Sequence, residues 1–382
     1  MLSRRQALFL VPALLPGIGF AAVTAPAGRR LVVIILRGAM DGLGAVPPLS
    51  DPDYAALRGG LALAPAGAVA LDGRFWLHPA LAPMQPMYAR GELLIVHAMA
   101  SPYRERSHFD AQNMIETGMV RPGMSGDGWL NRTLASLGAG PIRGIAFSPE
   151  LPLVLKGRAP VSNWQPDHAQ PDITEAVRRL YAGDAALASA YAAGLAARGT
   201  VEAASAAVPK KRDFASLALV AGRTLAAADG PNVAVLELGG WDTHVGQGAG
   251  KGRLAAALGN LAGGAVALQT GLGPRWRDTV CVAITEFGRT AHVNGTGGTD
   301  HGTGTAGFAF GGAVAGGRVV ADWPGLAAGA LYQQRDLAPT ADLRSFLKGV
   351  LGDHLQIGSA VLEKSVFPQS SGARAMQGLI KA

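Results

Sequence analysis

Four continuous apolar runs of strand length, at residues 31–36, 93–97, 233–238 and 280–285, constrain the fold of this chain more than any other feature. A strand that is apolar at every position is buried on both faces, as in a parallel sheet flanked by helices. Between the runs lie segments of helical character, at 79–90, 107–118, 129–137, 173–197, 214–228 and 254–270. Strands alternating with helices predict an α/β fold, a doubly wound, mostly parallel sheet with helices on both faces. The Ala-rich stretch 170–228 is poor in strand signals and reads as a helical insertion, either a cap or a surface hairpin. At 382 residues and 49% hydrophobic content, the chain can bury a large core.

The N-terminus carries a different kind of signal. Ser3-Arg4-Arg5-Gln6-Ala7-Leu8-Phe9 leads into an apolar run that is broken by Pro12, Pro16 and Gly17 and closes on Ala25-Pro26-Ala27. Paired arginines, a modest apolar region and a small-residue end describe a twin-arginine export signal over residues 1–27. The expected mature domain is 28–382, delivered by the twin-arginine machinery to the periplasm or beyond. The apolar run is short for a spanning helix and contains helix breakers, so no stable membrane span is expected after cleavage. That route carries folded substrates, often with a metal in place, which favours a metalloprotein.

Cys281 is the single cysteine, so an intramolecular disulfide is excluded and stability must come from packing, metal binding or both. The formal charge of +7 is scattered along the chain, which suits a solvated surface or an anionic ester substrate. No nucleic-acid motif accompanies it.

The runs end in chemistry. The first is followed by Arg37-Gly38-Ala39-Met40-Asp41-Gly42, where Asp41 is either a cation ligand or a helix N-cap. The third ends in Gly239-Gly240-Trp241-Asp242-Thr243-His244, where a carboxylate and an imidazole two residues apart can share one metal. The fourth ends in Thr285-Glu286-Phe287-Gly288-Arg289-Thr290, in which Glu286 is a ligand and Arg289 an oxyanion grip, or the two form an ion pair. A Gly- and Thr-rich loop then presents Asp300-His301. Ser107 precedes a helical segment and is either its cap or a nucleophile, with Arg104, Arg106 and His108 as anion contacts on the same turn.

These motifs, together with Ser101-Pro102-Tyr103, Arg106-Ser107-His108-Phe109-Asp110-Ala111-Gln112 and Asp322-Trp323-Pro324-Gly325-Leu326, resemble a bacterial family of exported proteins with a domain of unknown function. That family is grouped with the alkaline phosphatase and sulfatase superfamily. The resemblance implies a metal site at the strand C-terminal ends, with Asp41, Asp242, His244, Glu286, Asp300 and His301 as ligands and Ser107 as acceptor. Arg289 or Arg37 would hold the transferred group. The resemblance implies one or two divalent ions, Zn, Mg, Ca or Mn; Glu286-Phe287-Gly288 in place of the superfamily's Asp-His-Gly, with fewer histidines, points to one metal, or to a harder ion such as Mg, Ca or Mn in place of the phosphatases' paired zinc. The implied activity is hydrolysis of phosphate or sulfate esters. The alternative is a catalytically inactive envelope protein that binds or assembles on the same fold.

Overall fold

The computed structural model describes residues 28–138, 143–166, 174–206, 208 and 213–382. The expected export signal at 1–27 lies outside the described residues, as do 170–173, 207 and 209–212 of the expected insertion. The strands are β1 (Arg30–Leu36), β2 (Val69–Ala70), β3 (Trp76–Leu77), β4 (Leu93–Ala100), β5 (Gly144–Ala146), β6 (Val161–Asn163), β7 (Val233–Leu238), β8 (Thr279–Thr285), β9 (Thr305–Phe310), β10 (Arg318–Val320) and β11 (Ala341–Asp342). Apart from the small β2–β3 hairpin, they form one nine-stranded sheet in the order β10-β4-β9-β8-β1-β7-β5-β6, with β11 beside β4. Each pairing in this sheet is parallel except those of β9, which runs antiparallel to β4 and β8. The sheet is therefore mixed and mostly parallel.

Alternation along β1 divides the core. Val32, Ile34 and Leu36 pack with residues of the helices Phe214–Ala226 and Arg253–Leu272, while Leu31, Val33 and Ile35 pack with the helices Trp129–Ser136 and Leu343–Leu355 on the other face. Every β1 residue is buried, which is why the run is continuous in sequence. Side-chain caps define the helix starts: Asp213 accepts from the Ser216 amide at 2.8 Å, and Asp342 from the Arg344 amide at 2.7 Å.

Two expected helices differ in detail. The segment 79–90 is a 3₁₀ turn, Pro79–Met84, followed by a short α-helix, Gln85–Ala89. Pro83 and Pro86 remove amide donors that one long helix would need. The stretch 173–197 is two helices, Thr174–Tyr181 and Ala185–Ser205, the second capped by Asp184 and running eight residues further than expected by sequence. These two are largely exposed, whereas Phe214–Ala226 belongs to the layer against the sheet. No helix among the described residues is long and apolar enough to cross a membrane.

Parallel order brings the C-terminal ends of β1, β4, β7 and β8 to one edge, and the reversed β9 begins there. Leu36 of β1 lies in register with Leu238 of β7 and Thr285 of β8. The turn after β1 fits closely against β9: a Cβ on Gly42 would stand 2.6 Å from the Ala306 amide nitrogen and 2.8 Å from the Thr305 carbonyl carbon. Backbone cannot step aside cheaply there. Gly42→Ala is expected to cost about 1–3 kcal/mol, read as a lowered midpoint in thermal or denaturant unfolding; an unchanged midpoint would contradict this packing.

Candidate metal centre

At this edge three imidazoles gather, and the ligand atoms of His108, Asp242 and His301 lie within 4.8 Å of one another, as a metal ion would need. His108 opens the helix His108–Thr117, His244 lies in the loop after β7, and His301 lies in the loop before β9. His301 Nε2 is 3.0 Å from His108 Nε2 and 2.9 Å from His244 Nε2. Asp242 Oδ1 lies 3.0 Å from His244 Nε2, 3.5 Å from His301 Nε2 and 3.7 Å from His108 Nε2. Metal–ligand bonds of about 2.0–2.1 Å in a tetrahedron put ligand atoms roughly 3.3 Å apart, close to the separations among His108, His301 and Asp242.

The far sides of the rings decide what the near sides offer. His108 Nδ1 faces Glu286 Oε1 at 2.8 Å, His244 Nδ1 faces Asp300 Oδ1 at 3.0 Å, and His301 Nδ1 faces the Arg106 carbonyl at 3.0 Å. Each partner is an acceptor, so each Nδ1 carries the proton and each neutral ring is left with a lone pair on Nε2. Two imidazole lone pairs and a carboxylate oxygen gathered in this way suit a positive charge between them. Histidines oriented by carboxylates or carbonyls are the usual ligands of transition-metal ions. The donor set suits a borderline divalent cation better than a hard one.

Without such an ion, a proton serves. The hydrogen bond to Glu286 is the first cause that raises the His108 pKa, whereas burial, and next the charge of His108, lower that of His301.

The chain holds these groups by several independent ties. Glu286 is fully buried and accepts from His108, from the Gly38 amide at 2.8 Å, from Gln112 Nε2 at 3.1 Å and from Thr285 Oγ1 at 3.0 Å. Burial works to raise its pKa, but its hydrogen bonds, that from His108 foremost, bring it below the usual value. Gly38 has φ +120°, and a Cβ there would stand 2.8 Å from the Asp242 amide, so the Asp242 loop approaches the β1 turn only because position 38 is glycine. Residues 288–303 form an antiparallel finger, with Gly302 N donating to Gly288 O at 2.8 Å and Thr290 N to Asp300 O at 2.9 Å. Its tip reaches the third histidine: Asn294 Nδ2 donates to His244 O at 2.9 Å and to Asp300 Oδ1 at 3.0 Å.

Of the residues singled out by sequence, Asp242, His244 and His301 meet at the cluster, while Glu286 and Asp300 stand behind its imidazoles. Asp41 is elsewhere. It is 1% exposed, ion-paired with Arg58, bonded to Gln247 Nε2 at 2.6 Å, and accepts from the Gly44 amide at 3.2 Å as an N-cap. The cap alternative describes its place, and its charge is consumed by Arg58. Arg289 is buried; its Nη1 donates to Asp242 Oδ1 at 2.5 Å, its Nε to Thr299 Oγ1 at 3.2 Å, and its Nη2 to the Thr299 carbonyl. It pairs with Asp242, not with Glu286. Arg37 is bound by Glu116 at 2.7 Å and by Glu237. Ser107 occupies the N-cap position, yet its side chain makes no cap hydrogen bond.

His108 is the member that sequence reasoning placed only as an anion contact. The available signal was its position, one residue beyond an N-cap after β4, at the same sheet edge as the other acidic and imidazole motifs.

The His108–Glu286 pair has a definite pH signature. Because the folded-state pKa of His108 is raised, its contribution to stability is fully present below the unfolded value of about 6.5 and is lost as pH rises through the folded one. In chelator, the difference in unfolding midpoint between the native chain and His108→Gln is expected to be wider at pH 6 than at pH 9. A gap that widens at pH 9 would refute the assignment.

No curated protein matches the chain. Among solved structures, the lipoteichoic acid synthase LtaP from Listeria monocytogenes is similar with a TM-score of 0.41 at 9% identity, covering 90% of this chain and 79% of that one. The phosphonate monoester hydrolase of Agrobacterium radiobacter is similar with a TM-score of 0.37 at 12% identity, covering 86% and 74%. Over residues 94–366 the chain matches the family described as protein of unknown function (DUF1501), and it belongs to that family.

Proposed function

We propose that this chain is an exported, metal-dependent hydrolase of phosphate or sulfate esters. The observation that carries the reading is the close approach of His108 Nε2, His301 Nε2 and Asp242 Oδ1, with the Nδ1 of both rings facing acceptors. His108, His301 and Asp242 would hold one ion, with His244 beside them, of the zinc type more than Mg, Ca or Mn. When bound, the ion supplies Lewis acidity toward an oxygen of the ester.

Arg289 keeps Asp242 ionised and aimed at the ion, since its hydrogen bond and charge outweigh the burial that would raise the carboxyl pKa. Ser107, with a hydroxyl not spent on capping and its backbone joined directly to His108, is the nucleophile. Its Oγ attacks phosphorus or sulfur, the ester P–O or S–O bond breaks, and the alcohol leaves with the proton. Water then releases phosphate or sulfate and restores the hydroxyl. The twin-arginine motif supports export to the periplasm or outside the cell.

A second reading, an envelope binding or assembly protein without catalysis, is favoured by one observation. Arg37 and Arg289, the guanidiniums suited to grip an oxyanion, are both engaged by carboxylates.

Metal content by mass spectrometry on the mature protein, beside hydrolysis of 4-nitrophenyl phosphate and sulfate, separates the two. The native chain is expected to carry one ion. His301→Ala and Asp242→Ala are expected to lose it, with activity falling by more than the roughly 10–100-fold typical of second-sphere losses. Ser107→Ala is expected to keep the ion and lose turnover. A metal-free native protein would overturn the hydrolase and leave the binding reading.

A further inference from the structure

The Arg106 backbone is in the left-handed region, φ +59°, which a residue with a side chain adopts only when its surroundings hold it there. Its carbonyl is the acceptor that His301 Nδ1 faces at 3.0 Å. What holds it is a carboxylate from far along the chain. Arg106 Nε and Nη2 lie 2.9 and 2.8 Å from Asp336 Oδ2, Nη2 also donates to Gln333 Oε1 at 2.6 Å, and the guanidinium stands 6.0 Å over the Tyr332 ring.

Asp336 is 0% exposed, and the same Oδ2 accepts from Thr303 Oγ1 at 2.6 Å. Thr303 is two residues beyond His301. One buried oxygen therefore ties the segment that offers the carbonyl to the segment that carries the imidazole, and fixes the two partners of the His301 hydrogen bond relative to each other.

We infer that Asp336 is a positioning residue of the metal centre: through Arg106 and Thr303 it keeps the proton of His301 on Nδ1 and the Nε2 lone pair free to bind the ion. The inference rests on reading the histidine cluster as a cation site. A neutral imidazole without a partner favours the proton on Nε2, where it blocks ligation, so release of the carbonyl changes which nitrogen is available. Asp336 touches no ring of the cluster in this arrangement. Its effect passes through backbone.

The test uses the mature full-length chain and two readouts. Side-chain ¹⁵N correlation spectra of chelator-treated protein, at a pH where the rings are neutral, report the tautomer of each histidine; titration with zinc alone reports affinity. The native chain is expected to show His301 as the Nδ1–H tautomer. Asp336→Ala is expected to populate the Nε2–H form at His301 and to weaken zinc binding by about 10–100-fold, with Asp336→Glu partly restoring both. Should Asp336→Ala fail to fold, Arg106→Gly decides, since glycine accepts the positive φ while the side-chain latch is gone; it is expected to show the same two changes. The inference is overturned if a folded Arg106→Gly keeps His301 in the Nδ1–H form with native zinc affinity, or if the native chain shows the Nε2–H form. A native chain that responds in tautomer but binds no zinc overturns the cation-site reading instead.

Discussion

The arrangement of this edge depends on the burial of one charge. Glu286 is removed from water entirely, and a carboxylate in that position is tolerable only when its oxygens are supplied with donors. The donors come from three elements: the Gly38 amide from the turn after β1, His108 and Gln112 from the helix following β4, and Thr285 from the end of β8. None can leave without exposing the charge to an apolar surrounding. Demand for hydrogen bonds at a single carboxylate is thus what draws distant parts of the chain to one point and orients the first imidazole.

A second polar system reaches the same point from inside. The buried Asp41–Arg58 pair is continued by Gln247, which donates to Asp41 and accepts from Thr243 and Thr299 at 2.7 Å each, and Thr299 accepts from Arg289, which grips Asp242. The members are joined in series, although Arg58 Nε finds no partner in it. The acidic residues of this edge therefore divide by exposure. Asp41 and Glu286 are sealed and serve as anchors, whereas Asp242 and Asp300 are about half exposed and face solvent beside the imidazoles.

How much of this was legible follows from the same physics. β1, β7 and β8 were readable because burial on both faces demands apolar residues at every position. β9 was not: Thr305-Ala306-Gly307-Phe308-Ala309-Phe310 holds small residues where the β1 turn and Met99 press against it, so its run is broken by residues chosen for size. The three-residue strands β5, β6 and β10 carry too little pattern to stand out. At the site, Asp242, His244 and His301 announced themselves because they follow strand ends among glycines. The neutralisation of Asp41 by Arg58 was invisible, since that arginine ends a short helix, Tyr54–Arg58, with no periodic relation to the strand. His108 looked like an ordinary first residue of a helix, and only its hydrogen bond, with that of Gln112, to Glu286 just beyond β8 makes it part of the cluster.

The chain separation of the histidines gives the site a meaning for the molecule as a whole. His108 and His301 are 193 residues apart, and His244 and His301 are 57 apart, in a chain whose one cysteine is buried alone in β8. An ion held by these rings closes long loops, as a cross-link does, and long loops are the ones whose closure restricts the unfolded chain most. It would do so with ligands that exist as a set only once β1, β4, β7, β8 and β9 are assembled, so its binding free energy is added to that of the finished sheet and to no partly folded form. With an ion bound, the site would in this sense also be a clasp, fastened last.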